Sequence, residues 1–110
     1  MGGSDPIKIG TPFIIGSIEV SGTVYPVYRK IVDCGTLPNA TTKRVAHGIT
    51  YNDVLNLFGT AKNSTVVLPL PNLHEQTASF IVLFIDGADI VIRTGSDRSS
   101  YNGLVTIDYY

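Results

Sequence analysis

The chain contains very little cysteine, tryptophan or charge. Of its 110 residues one is cysteine, Cys34, and none is tryptophan. A single cysteine excludes an intrachain disulfide and a cysteine-based zinc site. The lack of tryptophan removes the ring most used for stacking on sugars, although six tyrosines and two histidines offer other rings.

Charged residues make up 15% of the chain, whereas soluble domains average about 25%. The net charge is −1, with eight basic and nine acidic residues interspersed along the sequence. Binding to nucleic acid requires clustered Lys and Arg and is therefore not expected. A small domain with so little charge is expected to cover part of its surface with copies of itself.

No apolar run is long enough to cross a membrane. The longest, at residues 80–85, falls far short of the ~20 residues required. Residues 1–6 lack the basic start and apolar stretch of a signal peptide, so we expect neither secretion by that route nor membrane insertion. We assign residues 1–11 to a flexible N-terminal segment or expression remnant, and residues 12–110 to one domain of ordinary size.

Frequent Gly, Pro, Asn and Asp residues separate short apolar runs, which indicates an all-β domain. We predict about eight strands: seven at residues 13–20, 24–33, 43–49, 65–68, 79–85, 90–94 and 104–110, and one more if residues 51–61 form a strand. This number fits a single β-sandwich of jelly-roll type. Residues 80–85 are apolar without alternation, so both faces of that strand should be covered, one of them by a neighbouring subunit.

Residues 51–61 are ambiguous from pattern alone. The apolar residues at 54, 55, 57 and 58 have helical spacing, and Asn52 would cap such a helix. Against a helix, Gly59 and Thr60 would limit it to about two turns, which is marginal.

No combination of residues indicates an active site. Cys34 and His47 would be a nucleophile and base, but a lone cysteine is usually a packing residue. Most carboxylates adjoin turn-forming residues, and no two stand out as a glycosidase pair. His47 and His74 lack partners at metal-ligand spacing. The remaining possibility for a metal site is one histidine contributed by each of three subunits around a threefold axis. We therefore expect no enzymatic activity, no cofactor and no metal.

Four motifs follow one another in a defined order: Pro-Val-Tyr-Arg-Lys at 26–30, Gly-Thr-Leu-Pro-Asn at 35–39, Lys-Arg-Val-Ala-His-Gly-Ile at 43–49, and Thr-Gly-Ser-Asp-Arg-Ser-Ser-Tyr at 94–101. Their order and spacing resemble a module found at the C-terminal ends of bacteriophage and prophage tail-fibre, head-fibre and receptor-binding proteins. The resemblance extends from Gly16 to Tyr109. It implies a strand at residues 51–61 and a homotrimeric knob joined to the remainder of a fibre or virion.

The resemblance further implies that the domain attaches a phage particle to the host cell surface. We expect a surface saccharide as ligand, because weak sites repeated in a trimer gain from avidity. Such a protein would be made in the host cytoplasm and become part of the virion. The alternative is an architectural trimerisation knob, of a fibre or a capsid decoration, without receptor contact. A third interpretation, a carbohydrate-active enzyme, lacks a recognisable acid and base.

Two polar loops are candidate ligand sites, because recognition residues concentrate on loops held by a scaffold. The first contains Asn72, His74 and Gln76 and follows two prolines that restrict its freedom. The second contains Arg98 and Tyr101 and belongs to the fourth motif. We rank the first loop ahead, because a loop that defines a family is more often structural.

Overall fold

All secondary structure in the computed structural model is β-strand, over the residues that it describes, 8–72 and 79–110. The predicted all-β class is confirmed, and so is the predicted number of about eight strands. The strands are β1 (Phe13–Val20), β2 (Thr23–Thr36), β3 (Thr42–Ala46), β4 (Val54–Lys62), β5 (Val67–Leu70), β6 (Ile81–Asp86), β7 (Asp89–Thr94) and β8 (Asn102–Tyr109).

The strands form two antiparallel sheets in a sandwich-like arrangement. The larger sheet has the order β1-β2-β8-β4-β5, and the smaller has the order β3-β7-β6. The sequential neighbours β1 and β2, β4 and β5, and β6 and β7 pair as hairpins. The last strand, β8, lies between β2 and β4 and pairs with both, so strands far apart in sequence hold the larger sheet together.

The ambiguous segment at residues 51–61 forms strand β4. Gly59 explains why this strand can lie against β8. A Cβ atom there would collide with the carbonyl oxygen of Leu104 and would approach the Cα of Val105 to 3.2 Å. The close approach of two backbones therefore requires glycine, and the helical spacing of the neighbouring apolar residues is overridden by this sheet pairing.

Pro69 does not end the strand at residues 65–68 as expected. Strand β5 runs over Val67–Leu70 and includes Pro69. Because β5 is the edge strand of the larger sheet, one side of its backbone needs no ladder partner, and a proline is tolerated there.

The core lies between the inner faces of the two sheets. On β8, Val105, Ile107 and Tyr109 alternate along the strand and are buried in the core, and Asp108, on the opposite face, is buried as well. Other core residues come from each side of the sandwich: Val32, Cys34, Leu37, Ala61, Leu70, Ile81, Leu83, Ile90 and Ile92. The β8 alternation thus confirms the inner face predicted for the last strand.

The apolar run at residues 80–85 is covered on one face within the chain. Ile81 and Leu83 are buried on the inner face of β6. Phe84, on the opposite face, remains 41% exposed. The exposure of Phe84 shows that the described part of the chain does not fully cover the second face of β6, which was predicted to lie against a neighbouring subunit.

A hairpin of β1 and β2 extends beyond the rest of the larger sheet. Strand β8 pairs with β2 from Thr36 back to Tyr28, where it ends at Tyr109. Residues 23–27 of β2 pair only with β1. We call the hairpin formed by residues 16–27 the β1–β2 arm. Pro26 lies in it, which agrees with the expectation that this proline marks an edge.

Part of the predicted N-terminal segment contacts the larger sheet. The N–H of Gly10 donates a hydrogen bond to the carbonyl oxygen of Ile31 at 2.7 Å. Residues 1–7 lie outside the described part of the chain. Among the residues that are described, no helix is long and apolar enough to span a membrane.

Candidate functional site

His47 from the third motif is buried at the end of β3, where it joins two loops. Its Nδ1 accepts a hydrogen bond from the N–H of Ile49 at 3.1 Å, so Nε2 carries the proton and donates to the carbonyl oxygen of Gly87 at 2.9 Å. The ring also lies edge-on to Tyr51, 5.8 Å away. Both ring nitrogens of His47 are thus bonded to backbone, so this residue has a structural role.

The second predicted loop is fixed by bonds to two neighbouring segments. Arg98 donates from its guanidinium to the carbonyl oxygen of Ser79 at 2.7 Å, and its backbone N–H bonds to the carbonyl oxygen of Pro38. The same guanidinium lies over the ring of Tyr101, 5.6 Å from its centroid. The structure therefore brings Arg98 and Tyr101 together. One terminal nitrogen of Arg98 is bonded within the chain, whereas its Nε is buried without a hydrogen-bond partner among the described residues.

Asp97 supports the same loop. Its Oδ1 accepts hydrogen bonds from the N–H of Ser99 at 2.9 Å and from the Ser99 hydroxyl at 2.6 Å. These bonds hold the pKa of the Asp97 carboxyl below its usual value. Bonds within the loop and bonds to neighbouring segments thus fix it, which supports the structural interpretation of the fourth motif.

Of the first predicted loop, only Asn72 lies among the described residues; His74 and Gln76 lie outside them. Asn72 exchanges two backbone hydrogen bonds with Ile81, at 2.9 and 2.7 Å. Because Arg98 binds Ser79, Asn72 and Arg98 both lie near the beginning of β6. A ligand role for Asn72, His74 and Gln76 stays a prediction.

Cys34 has the properties of a packing residue. Its side chain is buried in the core, and its thiol lies 3.9 Å from the carbonyl oxygen of Val32. Burial raises the pKa of the thiol to about 11. Such a cysteine is a poor nucleophile at neutral pH, because the thiolate is the reactive form.

The outer face of the larger sheet carries a polar group that the motifs did not indicate. Asp108 of β8 is only 1% exposed. Arg29 of β2 binds it with two parallel hydrogen bonds, Nε to Oδ1 at 2.7 Å and a terminal nitrogen to Oδ2 at 2.9 Å. Asn56 of β4 donates to Oδ2 at 3.2 Å. One row across three strands thus links a guanidinium, a carboxylate and an amide.

The electrostatics of this row favour the ionised pair. Hydrogen bonds from Arg29 lower the pKa of the Asp108 carboxyl, while burial opposes that shift and Asn56 adds to it. The same pair raises the pKa of Arg29. The Arg29 guanidinium also lies 5.6 Å from the centroid of the Phe58 ring, and this ring stays 43% exposed. An aromatic surface therefore borders the polar row on β4.

A sequence signal for Asp108 existed. Unlike aspartates beside Gly or Ser, Asp108 stands between Ile107 and Tyr109, inside a strand with strict alternation. The alternation places it outward, on the same face as Thr106. A carboxylate at mid-strand rather than in a turn indicates a specific partner, but the sequence does not show that Arg29 lies opposite.

The described residues contain no group of three or more His, Cys, Asp or Glu side chains arranged to hold a metal ion. The comparisons with known protein families, curated proteins and solved structures find no match to this chain.

Proposed function

We propose that the chain is a homotrimeric domain of a bacteriophage fibre or other virion appendage, and that it attaches the particle to the host cell surface by binding a saccharide. The motif resemblance is one support. The geometry adds that the side chains carrying the resemblance hold the scaffold together. Lys30 donates to the carbonyl oxygen of His47 at 2.6 Å, and Lys43 to that of Thr36 at 2.7 Å. The motif residues Lys30 and Lys43 therefore stabilise the fold that the resemblance implies.

The strand pairing supports a jelly-roll type for this domain. Strand β2 pairs with β8, the last strand, and β3 pairs with β7, the next to last. Pairing of early strands with late strands in this order is expected when one long antiparallel hairpin folds over into two sheets. Jelly rolls recur in viral capsid proteins and in lectins, and this analogy of fold supports a virion or sugar-binding role.

The observation that carries the proposal is the exposure of apolar side chains on and beside the β1–β2 arm. Val24, within the arm, is 65% exposed, and Ile14, beside its base, is 63% exposed. Burying such side chains gains about 25 cal/mol per Å² of apolar surface removed from water. Because the chain is also poor in charge, copies of itself are the partners that we propose for this surface.

Light scattering tests the assembly. We expect a mass near three copies of 11.8 kDa, and we expect Val24→Gln combined with Ile14→Gln to shift the protein toward monomer. Val67→Gln is the matched control, because Val67 is a similarly exposed valine on β5, at the other edge of the sheet. A wild-type monomer at micromolar concentration would remove the trimer. A dimer would keep the burial argument but remove the fibre interpretation.

The architectural alternative, a trimerisation knob without receptor contact, is favoured by one observation. Arg98 and Tyr101, two of the predicted ligand residues, are engaged within the chain. Binding of fluorescently labelled domain to host cells, before and after enzymatic removal of surface polysaccharide, distinguishes the two. Attachment that disappears with the polysaccharide supports the receptor role, and no attachment by folded trimer supports the architectural one. A fall in polymer viscosity would instead reveal an enzyme.

A further inference from the structure

A cleft opens on the outer face of the larger sheet, where β4 ends and β8 begins. Its volume is about 390 Å³, and its lining is Thr60, Lys62, Asn63, Ser64, Ser100, Asn102 and Leu104. That volume lies in the range of small-molecule sites, about 300–1,000 Å³. The lining adjoins the second predicted loop, because Ser100 belongs to the fourth motif and Asn102 follows it closely, but it includes neither Arg98 nor Tyr101. It also includes none of the exposed apolar residues of the β1–β2 arm.

The sheet register places the cleft's central residues side by side. Lys62 of β4 is the Cα partner of Asn102 of β8, and Thr60 is the partner of Leu104. Directly opposite residues on one face have Cβ atoms about 4.5–5.5 Å apart. An ammonium, an amide, a hydroxyl and an apolar side chain are therefore held within contact distance of one ligand by two rigid strands.

The turn after β4 supplies a further fixed donor. The side-chain oxygen of Asn63 accepts hydrogen bonds from the N–H groups of Thr65 at 2.9 Å and Val66 at 2.7 Å. These bonds orient its NH₂ group, which has no acceptor among the described residues. The carboxamide is thus available to donate to a ligand without first being ordered, which reduces the entropy lost on binding.

The lining carries one positive charge. A carboxylate lies beside it on β2, where Asp33 is the Cα partner of Leu104, and its Oδ1 accepts a hydrogen bond from the N–H of Gly35 at 2.9 Å. Lys62 is the only charged residue in the lining, and within the described residues it forms no ion pair or hydrogen bond. A single ammonium surrounded by hydroxyl and amide groups suits a ligand with many hydroxyls and one anionic group. Compact phosphate sites instead collect several cations or backbone N–H groups.

An exposed ring extends the cleft along β4. Phe58, Thr60 and Lys62 alternate onto the same face of the strand, so Phe58 lies about 13 Å from Lys62 along its length. Arg29 lies near one side of the Phe58 ring, and 43% of the residue remains exposed. A ring at this position is a platform for the apolar face of a second sugar unit.

We propose that the outer face of β4 and β8 binds an acidic oligosaccharide, with a carboxylate-bearing sugar in the Lys62 cleft and a neighbouring sugar on Phe58. The assignment deepens the proposed attachment function and rests on it for the source of the ligand, a host-surface glycan. The chemistry of the cleft is that of uronic acids and related carboxylated sugars.

The test begins with an array of acidic oligosaccharides, each printed beside its methyl-esterified neutral form, and continues with titration of the best binder. We expect the acidic member to bind and the ester to bind at least about tenfold more weakly. Amide chemical shifts of Thr60, Lys62, Ser100 and Asn102 should move on titration of wild-type protein, a readout that needs no variant. Affinity should fall as salt is added.

Two variants locate the charge. Lys62→Gln should weaken acidic binding about tenfold or more, whereas Lys8→Gln removes an exposed lysine elsewhere and should leave it unchanged. Phe58→Ala should weaken longer oligomers more than monosaccharides. The proposal is overturned if no acidic glycan of the array binds, if ester and acid bind equally, or if Lys62→Gln binds like wild type. If the protein is a trimer but binds no acidic glycan, only the binding proposal is overturned. If it is a monomer that binds acidic glycans through Lys62, only the trimer proposal is overturned.

Discussion

Removing either partner of the Arg29–Asp108 pair should have unequal effects on stability. In Arg29→Met the carboxylate of Asp108, which is 1% exposed, keeps only Asn56 at 3.2 Å. Leaving a buried charge without its partner costs ~3–5 kcal/mol. In Asp108→Asn the arginine side chain, 34% exposed, still reaches water, and the asparagine oxygen still accepts one bond. That variant should lose ~1–2 kcal/mol, near the value of a hydrogen bond to a charged group.

The two variants should also respond differently to pH. The folded-state pKa of Asp108 is lowered, chiefly by its hydrogen bonds with Arg29, so its contribution to stability is complete above the unfolded pKa of about 3.9. It is lost as pH falls through the lower folded-state pKa. In Arg29→Met the pKa of the carboxyl rises, because burial is then opposed only by the hydrogen bond from Asn56. This variant therefore gains stability relative to wild type as pH falls. The difference in unfolding free energy between wild type and Arg29→Met should be largest near neutral pH and should shrink below about pH 4.

Urea unfolding at about pH 7 and about pH 3.5, at one fixed protein concentration, measures both effects. Arg44→Met is the matched control, because Arg44 pairs with Asp86 at 3.0 Å but both side chains are more than half exposed. Exposed pairs contribute only ~0–1 kcal/mol. The reasoning is refuted if Arg29→Met costs no more than Arg44→Met, or if its cost does not change with pH.

Three further changes test the scaffold. Cys34→Ala should cost ~1–2 kcal/mol by urea unfolding, and alkylation of native Cys34 should be slow because its thiol pKa is raised to about 11; rapid labelling at neutral pH would contradict its burial. Gly59→Ala should lower stability by at least ~2 kcal/mol, because its Cβ would meet the Leu104 carbonyl oxygen, and an unchanged midpoint would disprove the close approach. His47→Ala should cost ~1–3 kcal/mol by leaving the Ile49 N–H without its acceptor; a cost no larger than that of an exposed substitution would show that the bond is dispensable.

Strand positions could be predicted from the sequence where the physical signal is local. Alternation and turn residues gave β1 at residues 13–20, as the structure has it, and the inner face of β8. The helical spacing at residues 54–58 suggested a helix wrongly, because a local pattern does not show which distant strand the backbone packs against. Gly59 fits against Leu104, a residue 45 positions later, and no local pattern carries that information.

Sites were harder to predict than strands for the same reason. A loop rich in polar side chains has the composition of a recognition loop, but Arg98 is drawn to the Ser79 carbonyl and the Tyr101 ring. Composition does not reveal whether a polar group is satisfied within the chain. The row of Arg29, Asp108 and Asn56 is the converse case, since its members are far apart in sequence and meet only through the β2-β8-β4 order.

In the proposed assignment, recognition and architecture are carried by different surfaces of the domain. The motif side chains Lys30, Lys43 and His47 are bonded to backbone groups of neighbouring segments, so changing them alters the scaffold before it alters any ligand contact. Lys62 and the exposed Phe58 ring lie outside all four motifs, and of the cleft lining only Ser100 belongs to one. Substitutions there leave the strand ladder intact, because side chains of one face can change without moving the backbone bonds. A domain arranged in this way can change its ligand while keeping its fold, which is the property that a host-attachment module needs.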